Sequence, residues 1–117
     1  MAKKEERVPH IEMDIAETGE TVILDFDRDS IKWAENRGFS PANIEEALQT
    51  KTEELFFFAF RKNHPKYSRQ QTDKIIKDLG GLHTDIIARL GELYAQVINA
   101  TIRSDGELGN EKVIVRL

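Results

Sequence analysis

The apolar run at residues 55–60 constrains the fold of this chain more than any other feature of its sequence. The run reads Leu-Phe-Phe-Phe-Ala-Phe and holds four of the six phenylalanines in the chain. On a helix it is apolar around most of the circumference, which is typical of a helix buried on several sides. Because burial of one phenylalanine contributes about 2 kcal/mol, we predict that this segment is the central helix of the fold.

A basic segment, residues 61–69, follows the apolar run directly, and we call it the basic corner. Pro65 predicts that the central helix ends at His64, because a residue before proline avoids the helical region. The corner contains four cations and a tyrosine in an acidic chain: Arg61, Lys62, Lys66, Tyr67 and Arg69. Two interpretations stay open. The corner is either a solvated surface or an anchor for an acidic partner, which complementary charge would steer.

The remaining periodicity predicts a mainly α fold, a small bundle of about five helices with an N-terminal β-hairpin. Residues 10–27 alternate between apolar and polar on either side of Gly19, which is typical of two strands joined by a turn. Residues 28–102 form the helical part. Capping residues, glycines and prolines divide it into helices that start near Asp27 or Asp29, at Ser40, at Thr52, at Ser68 and near Thr84.

The two ends of the chain differ from the helical part. Residues 1–9 are a charged lead, which we predict to be mobile. Residues 103–117 begin as a polar linker and end in an alternating segment, residues 113–117. This alternation predicts a short strand that joins the hairpin as a third strand, and a disordered tail is the equal alternative. The length suits a single domain over residues 1–117.

Composition argues against several classes of protein. The net charge is −4 and the isoelectric point is about 5.4, whereas nucleic-acid binding usually needs a basic surface. The absence of cysteine excludes disulfides and thiolate sites. The N-terminal residues lack the apolar core of a secretory signal, and the longest apolar run is far shorter than a membrane span. We therefore expect a cytoplasmic protein that binds neither nucleic acid nor membrane.

Three aspartates after the second predicted strand, Asp25, Asp27 and Asp29, come nearest to a catalytic motif. Their spacing superficially resembles the aspartate pair of haloacid-dehalogenase-type phosphatases, and also a calcium loop without its glycine and final glutamate. Helix N-terminal preferences favour a simpler role, the capping of a strand-to-helix junction. The three histidines lie far apart, without ligand spacing. We expect neither an enzyme nor a cofactor or metal site.

Several segments together resemble one family, the small tail assembly chaperones of long-tailed phages and prophages of Gram-positive bacteria. The resemblance covers roughly residues 21–100. It is strongest in four places: Trp33-Ala34-Glu35, Arg37-Gly38-Phe39, residues 54–65 and residues 79–82.

The resemblance implies a non-enzymatic protein that binds the long helical tape measure protein, keeps it soluble and helps recruit tail tube subunits. It also implies action in the cytoplasm of the bacterial host and absence from the mature virion, with self-association left open. Many such phages make a longer form by translational frameshifting. Two alternatives to this function stay open: a virion component such as a head–tail connector protein, and a small DNA-binding regulatory protein with a helix-turn-helix.

The family offers no ligand motif to transfer, so the candidate binding residues come from physical reasoning. A small bundle cannot bury every face of the apolar run, and an exposed apolar ridge can accept an amphipathic helix. The candidate ridge residues, each of which is alternatively a core residue, are Trp33, Phe56, Phe57 and Tyr94. The basic corner supplies the others: Arg61, Lys62, Lys66, Tyr67 and Arg69.

Overall fold

The computed structural model describes residues 7–40, 48–102 and 106–117. Within them, a hairpin precedes four helices. In chain order the elements are β1 (Ile11–Ile15), β2 (Glu20–Leu24), α1 (Arg28–Asn36), α2 (Leu48–Phe58), α3 (Arg69–Leu79) and α4 (Thr84–Thr101). The predicted mainly helical class and the N-terminal hairpin are confirmed.

The hairpin is antiparallel, with Ile11 opposite Leu24 and Ile15 opposite Glu20. Gly19 lies in the turn at φ +76°, a conformation that favours glycine because it has no Cβ. The Gly19 amide donates to the Ile15 carbonyl at 2.7 Å and closes the turn. The alternating residues of both strands therefore present one apolar face to the helices.

Local capping explains where α1 begins. The Asp27 carboxylate accepts the Ser30 amide at 2.8 Å, and the Ser30 hydroxyl accepts the Asp27 amide at 2.9 Å. This reciprocal capping box satisfies two amides at the helix start, and such caps contribute about 1 kcal/mol. The capping role predicted for this aspartate is confirmed.

The ends of α3 and the start of α4 also follow their sequence signals. Ser68 and Gln71 form a second capping box at the start of α3. Gly80 ends that helix in the left-handed region, at φ +77°, which only glycine adopts without strain. The Nδ1 atom of His83 accepts the Asp85 amide at 3.0 Å and caps α4. Both helices begin where the sequence predicted.

The predicted helix boundaries were wrong on both sides of the apolar run. The central helix was expected to end at His64, but α2 ends at Phe58 and residues 59–63 form turns, so Phe60 packs in the core from outside the helix. Thr52 was expected to start a new helix, but α2 continues through it from Leu48 to Phe58. Neither glycine nor proline interrupts these residues, and a threonine costs a helix interior only a few tenths of a kcal/mol. The described part of the chain thus has four helices, not five. The short helix predicted after Ser40 falls mainly on residues 41–47, which lie outside the described residues.

The predicted third strand is absent from residues 106–117. The Asn110 amide donates to the Val113 carbonyl at 2.7 Å, and the Asn110 side chain accepts the amides of Lys112 and Val113 at 2.8 Å each. These bonds fold the backbone into a local turn. The described sheet consists of β1 and β2, so the prediction of a strand on the hairpin is wrong for the single chain.

The core forms around α2, as predicted from the apolar run. This helix contacts α1, α3 and α4. Phe56, Phe58 and Phe60 are at most 4% exposed, and their rings pack edge to face with neighbours, as Phe56 does with Phe60 at a centroid distance of 5.2 Å. Such ring pairs add about 1 kcal/mol to the burial energy. The buried aromatic cluster therefore fixes how the other elements are arranged.

Candidate functional site

A cluster of aromatic and cationic side chains lies on the surface where α1 meets the end of α2. The guanidinium carbon of Arg37 lies 3.9 Å from the centroid of the Trp33 ring, and that of Arg61 lies 4.5 Å from it. The Phe57 ring stands 5.8 Å from the Trp33 ring. We call these four residues the Trp33 patch. Both aromatic side chains are half-buried, so the patch presents ring surface to solvent.

Helical spacing and core packing hold the patch in shape. Trp33 and Arg37 are four residues apart at the end of α1, a spacing that places two side chains on one helix face. The inner side of the indole packs against the buried Phe58 ring at 5.5 Å, edge to face. Arg61 follows α2 by one turn and comes back over the same indole. The half-buried rings are thus supported on their inner side by the rigid core.

The charge of the patch is not neutralised within the described residues. Neither Arg37 nor Arg61 forms an ion pair with a carboxylate in residues 7–40, 48–102 or 106–117. A cation over an aromatic face gains about 0.5–1 kcal/mol at an exposed site, and this contact leaves the outer N–H donors of a guanidinium free. The two arginines can therefore take a carboxylate while remaining stacked on Trp33.

Some residues of the basic corner lie at the Trp33 patch, and others stabilise the fold. Arg61 and Tyr67 line one small depression with Trp33, Phe57 and Pro65. The exposed Lys66 borders a separate groove of about 330 Å³ beside the hairpin turn. The structure thus brings part of the predicted corner next to the predicted ridge residues.

Two cations of the corner are occupied by internal ion pairs. Lys62 reaches back to Asp25, with 2.7 Å between Nζ and Oδ2. Arg69 pairs with Glu53 at 3.4 Å and with Asp73 at 3.1 Å. These contacts join the corner to β2 and α3 to α2, so we assign Lys62 and Arg69 to the fold and not to the candidate surface.

The corner, together with Ala59 just before it, covers the outer edge of β2, a contact that sequence analysis missed. The Asp25 amide donates to the Ala59 carbonyl at 3.1 Å, and the Ile23 amide donates to Nε2 of His64 at 2.8 Å. The Asn63 side chain donates to the Ile23 carbonyl at 3.3 Å. The corner therefore forms hydrogen bonds with the edge of β2 at some of the positions where a third strand would.

Tyr67 connects the corner to the hairpin turn. Its hydroxyl donates to the Glu20 carboxylate, and its ring packs on Phe60 with 4.9 Å between centroids. Burial, followed by the hydrogen bond to Glu20 and the charge of that carboxylate, raises the pKa of Tyr67 to about 12. Its position is therefore fixed by contacts within the chain.

Two predicted ridge residues are core residues. Phe56 is fully buried and Tyr94 is 4% exposed, because α2 packs against helices on more than one side. The Tyr94 ring contacts Phe26 and Phe39 at 5.1 and 5.7 Å. Their burial removes both side chains from the candidate surface, and Trp33 and Phe57 remain on it.

Comparison with protein families gives one match, a family model that covers residues 1–117. The chain belongs to the DUF5055 family. That family is described as a domain of unknown function. No curated protein and no solved structure matches this DUF5055 chain.

The aspartates of the DUF5055 chain have structural roles where the structure describes them. Asp27 caps α1 and Asp25 pairs with Lys62. The described sheet is a two-stranded antiparallel hairpin, whereas the phosphatase alternative requires a parallel sheet. Across residues 7–40, 48–102 and 106–117, no three acidic, histidine or cysteine side chains converge as a metal site would require. None of the helices described is long and apolar enough to cross a membrane.

Sequence reasoning missed Arg37, the second cation of the Trp33 patch. The available signal was its position four residues after Trp33, at the last turn of a helix that was itself predicted. His64 and Asn63 gave no comparable signal, because their partner Ile23 is about 40 positions earlier in the chain. Contacts of that sequence separation depend on the packing of α2 against the hairpin.

Proposed function

We propose that this DUF5055 protein is a phage tail assembly chaperone. In this role it binds the tape measure protein in the cytoplasm of the bacterial host, helps recruit tail tube subunits, and is absent from the mature virion. The resemblance of residues 21–100 to tail assembly chaperones supports this assignment. The observation that supports the binding role is the Trp33 patch, in which two half-buried rings and two arginines without an ion pair in the described residues share one rigid surface.

The patch suits one face of an amphipathic acidic helix. An apolar stripe of the tape measure protein would lie against Trp33 and Phe57, as helices do in hydrophobic grooves. Aspartate or glutamate residues flanking that stripe would reach Arg37 and Arg61. Tryptophan and arginine are the residue types that most often dominate binding energy, each with about 2 kcal/mol or more on truncation. Coverage of such a stripe would also keep a long helical protein soluble during assembly.

The first prediction concerns the two arginines of the patch. The chain and a tape measure protein are co-expressed, and the soluble fraction and co-purification of the tape measure protein are measured. We expect the double variant R37A/R61A to reduce co-purification at least about tenfold, since two charged contacts are lost. The matched control is K77A/K112A, which removes the same charge from two exposed lysines outside the patch and should bind normally.

Two results would contradict the proposal. One is a tape measure protein that neither co-purifies with the unmodified chain nor gains solubility from it. The other is equal loss of binding in both double variants, which would indicate a general effect of charge. Detection of the chain in purified particles would favour the connector alternative, and retention on DNA that falls with salt would favour the regulatory one.

A further inference from the structure

The outer edge of β1 is an open edge of the hairpin. The amide and carbonyl of Ile23 bond outward to the basic corner, so Ile23 and its cross-strand partner Glu12 form a pair that exchanges no ladder bonds. By the same alternation, the backbone groups of Glu12 and Asp14 point away from β2. Across the described residues, these groups have no hydrogen bond to another segment.

The apolar face of the hairpin is also incomplete at β1. Val22 and Leu24 of β2 are fully buried. Their partners on β1, Met13 and Ile11, are only half-buried, as is Ile15 at the strand end. One more strand beside β1 would continue this apolar row and cover it, which is the usual way to protect an open edge.

The C-terminal residues 113–117 match this edge in length and pattern. We call them the terminal segment. Val113, Val115 and Leu117 alternate with Ile114 and Arg116, and β1 also has five residues. Val113, Ile114 and Leu117 are 62%, 72% and 103% exposed. The segment is thus a set of β-favouring apolar side chains that its own chain leaves uncovered.

Charge favours the same pairing. With Val113, Val115 and Leu117 beside the half-buried row of β1, Arg116 falls on the opposite, exposed face. That face of β1 bears the carboxylates of Glu12 and Asp14. Opposite charges on neighbouring strands contribute about 0.2–1 kcal/mol. Apolar packing and charge pairing therefore favour the same orientation of the segment's side chains.

We propose that the terminal segment of one copy adds to the outer edge of β1 in a second copy, and that the exchange is reciprocal. Within one chain, the turn at Asn110 leaves the segment off the sheet. Reciprocal exchange forms a symmetric dimer. This contact is independent of the Trp33 patch and of the chaperone role.

Light scattering after size exclusion tests the proposal on the full chain. We expect the mass to double with rising concentration, and deletion of residues 113–117 to keep the chain monomeric. In E12P, proline removes an outward amide that the hairpin does not use, and dimerisation should weaken at least about tenfold. The matched control E12A also loses the Glu12 carboxylate but keeps the amide, so it should dimerise clearly more strongly than E12P and weaken only by the charge contribution of about 0.2–1 kcal/mol. Far-ultraviolet circular dichroism checks that E12P keeps its fold.

A cross-linking experiment keeps the proposal testable if E12P unfolds. The chain has no cysteine, so one variant with Asp14→Cys and another with Arg116→Cys can be mixed and oxidised. We expect the mixed disulfide dimer to exceed both self-linked dimers. A chain that stays monomeric at every concentration would overturn the proposal. So would a D14C/R116C double variant that cross-links only within one chain.

Discussion

At the scale of single residues, Tyr94 combines deep burial with an unsatisfied hydroxyl. Its ring fills the space between Phe26 and Phe39, but its Oη has no hydrogen-bond partner in the part of the chain that the structure describes. A buried polar group without a partner costs about 1–3 kcal/mol. The ring therefore stabilises the folded state, whereas the unpaired hydroxyl destabilises it.

We expect the change Tyr94→Phe to raise the free energy of unfolding by about 1 kcal/mol, because it keeps the ring and removes the unpaired hydroxyl. Urea unfolding measures the change. Tyr67→Phe is the matched control, since it removes a hydroxyl that does have a partner, Glu20, and should lower stability. Equal losses in the two variants would show that the Tyr94 hydroxyl is in fact satisfied.

The two tyrosines also predict a response to alkaline pH. Burial is the main cause that raises the pKa of Tyr67 and of Tyr94 to about 12, from about 10 in an unfolded chain. The native state thus holds the phenolic protons more tightly. Their contribution to stability is full below pH of about 10 and is lost as the pH rises towards about 12.

Absorbance of the phenolate band during alkaline titration checks this expectation. The native chain should form no phenolate near pH 10, whereas the chain in concentrated urea should titrate there with both residues. Y67F leaves Tyr94 as the only tyrosine and assigns the remaining transition. A native phenolate that appears near pH 10 would mean that these side chains are more exposed than the structure indicates.

At the scale of elements, the ion pair of Asp25 and Lys62 holds the hairpin against the end of α2. The Asp25 side chain is 12% exposed and that of Lys62 is 31% exposed. Loss of the ammonium group would leave a mostly buried carboxylate whose one remaining donor among the described residues is the Phe26 amide, at 2.9 Å. The pair is thus part of the same contact as the bonds from His64 and Asn63.

We expect Lys62→Ala to lower the free energy of unfolding by about 1–2 kcal/mol, less than for a fully buried pair because the lysine is partly solvated. Urea unfolding again gives the value. Lys66→Ala removes an exposed cation of the same corner, and its effect should stay within about 0.5 kcal/mol. If both variants unfold alike, the corner does not anchor the hairpin.

At the scale of the whole molecule, local signals predicted more than distant ones. The capping boxes at Asp27 and Ser68 and the glycine stop at Gly80 were visible because each is formed within four residues. The continuation of α2 through Thr52 was not, since packing of the helix outweighs a weak local preference. The turn at Asn110 was not predicted, because the alternation from Val113 onwards is typical of a strand.

The same difference between local and distant signals applies to the candidate surface. Trp33, Phe57 and Arg61 were predicted as binding residues, and the structure brings them together with Arg37. Phe56 was indistinguishable from Phe57 in sequence, because a helix apolar on all sides gives no indication of which face meets solvent. Lys62 and Arg69 differ from Arg61 only in their partners, and those partners lie up to 37 positions away.

The covering of β2 by the basic corner limits how far the sheet can grow. A free hairpin offers backbone groups on both sides, and each added strand creates a new edge, which is how fibrils elongate. Here one side is already closed by Ala59, Asn63 and His64. A second copy can therefore add a strand on one side only, and variants that open the corner should be the ones that precipitate.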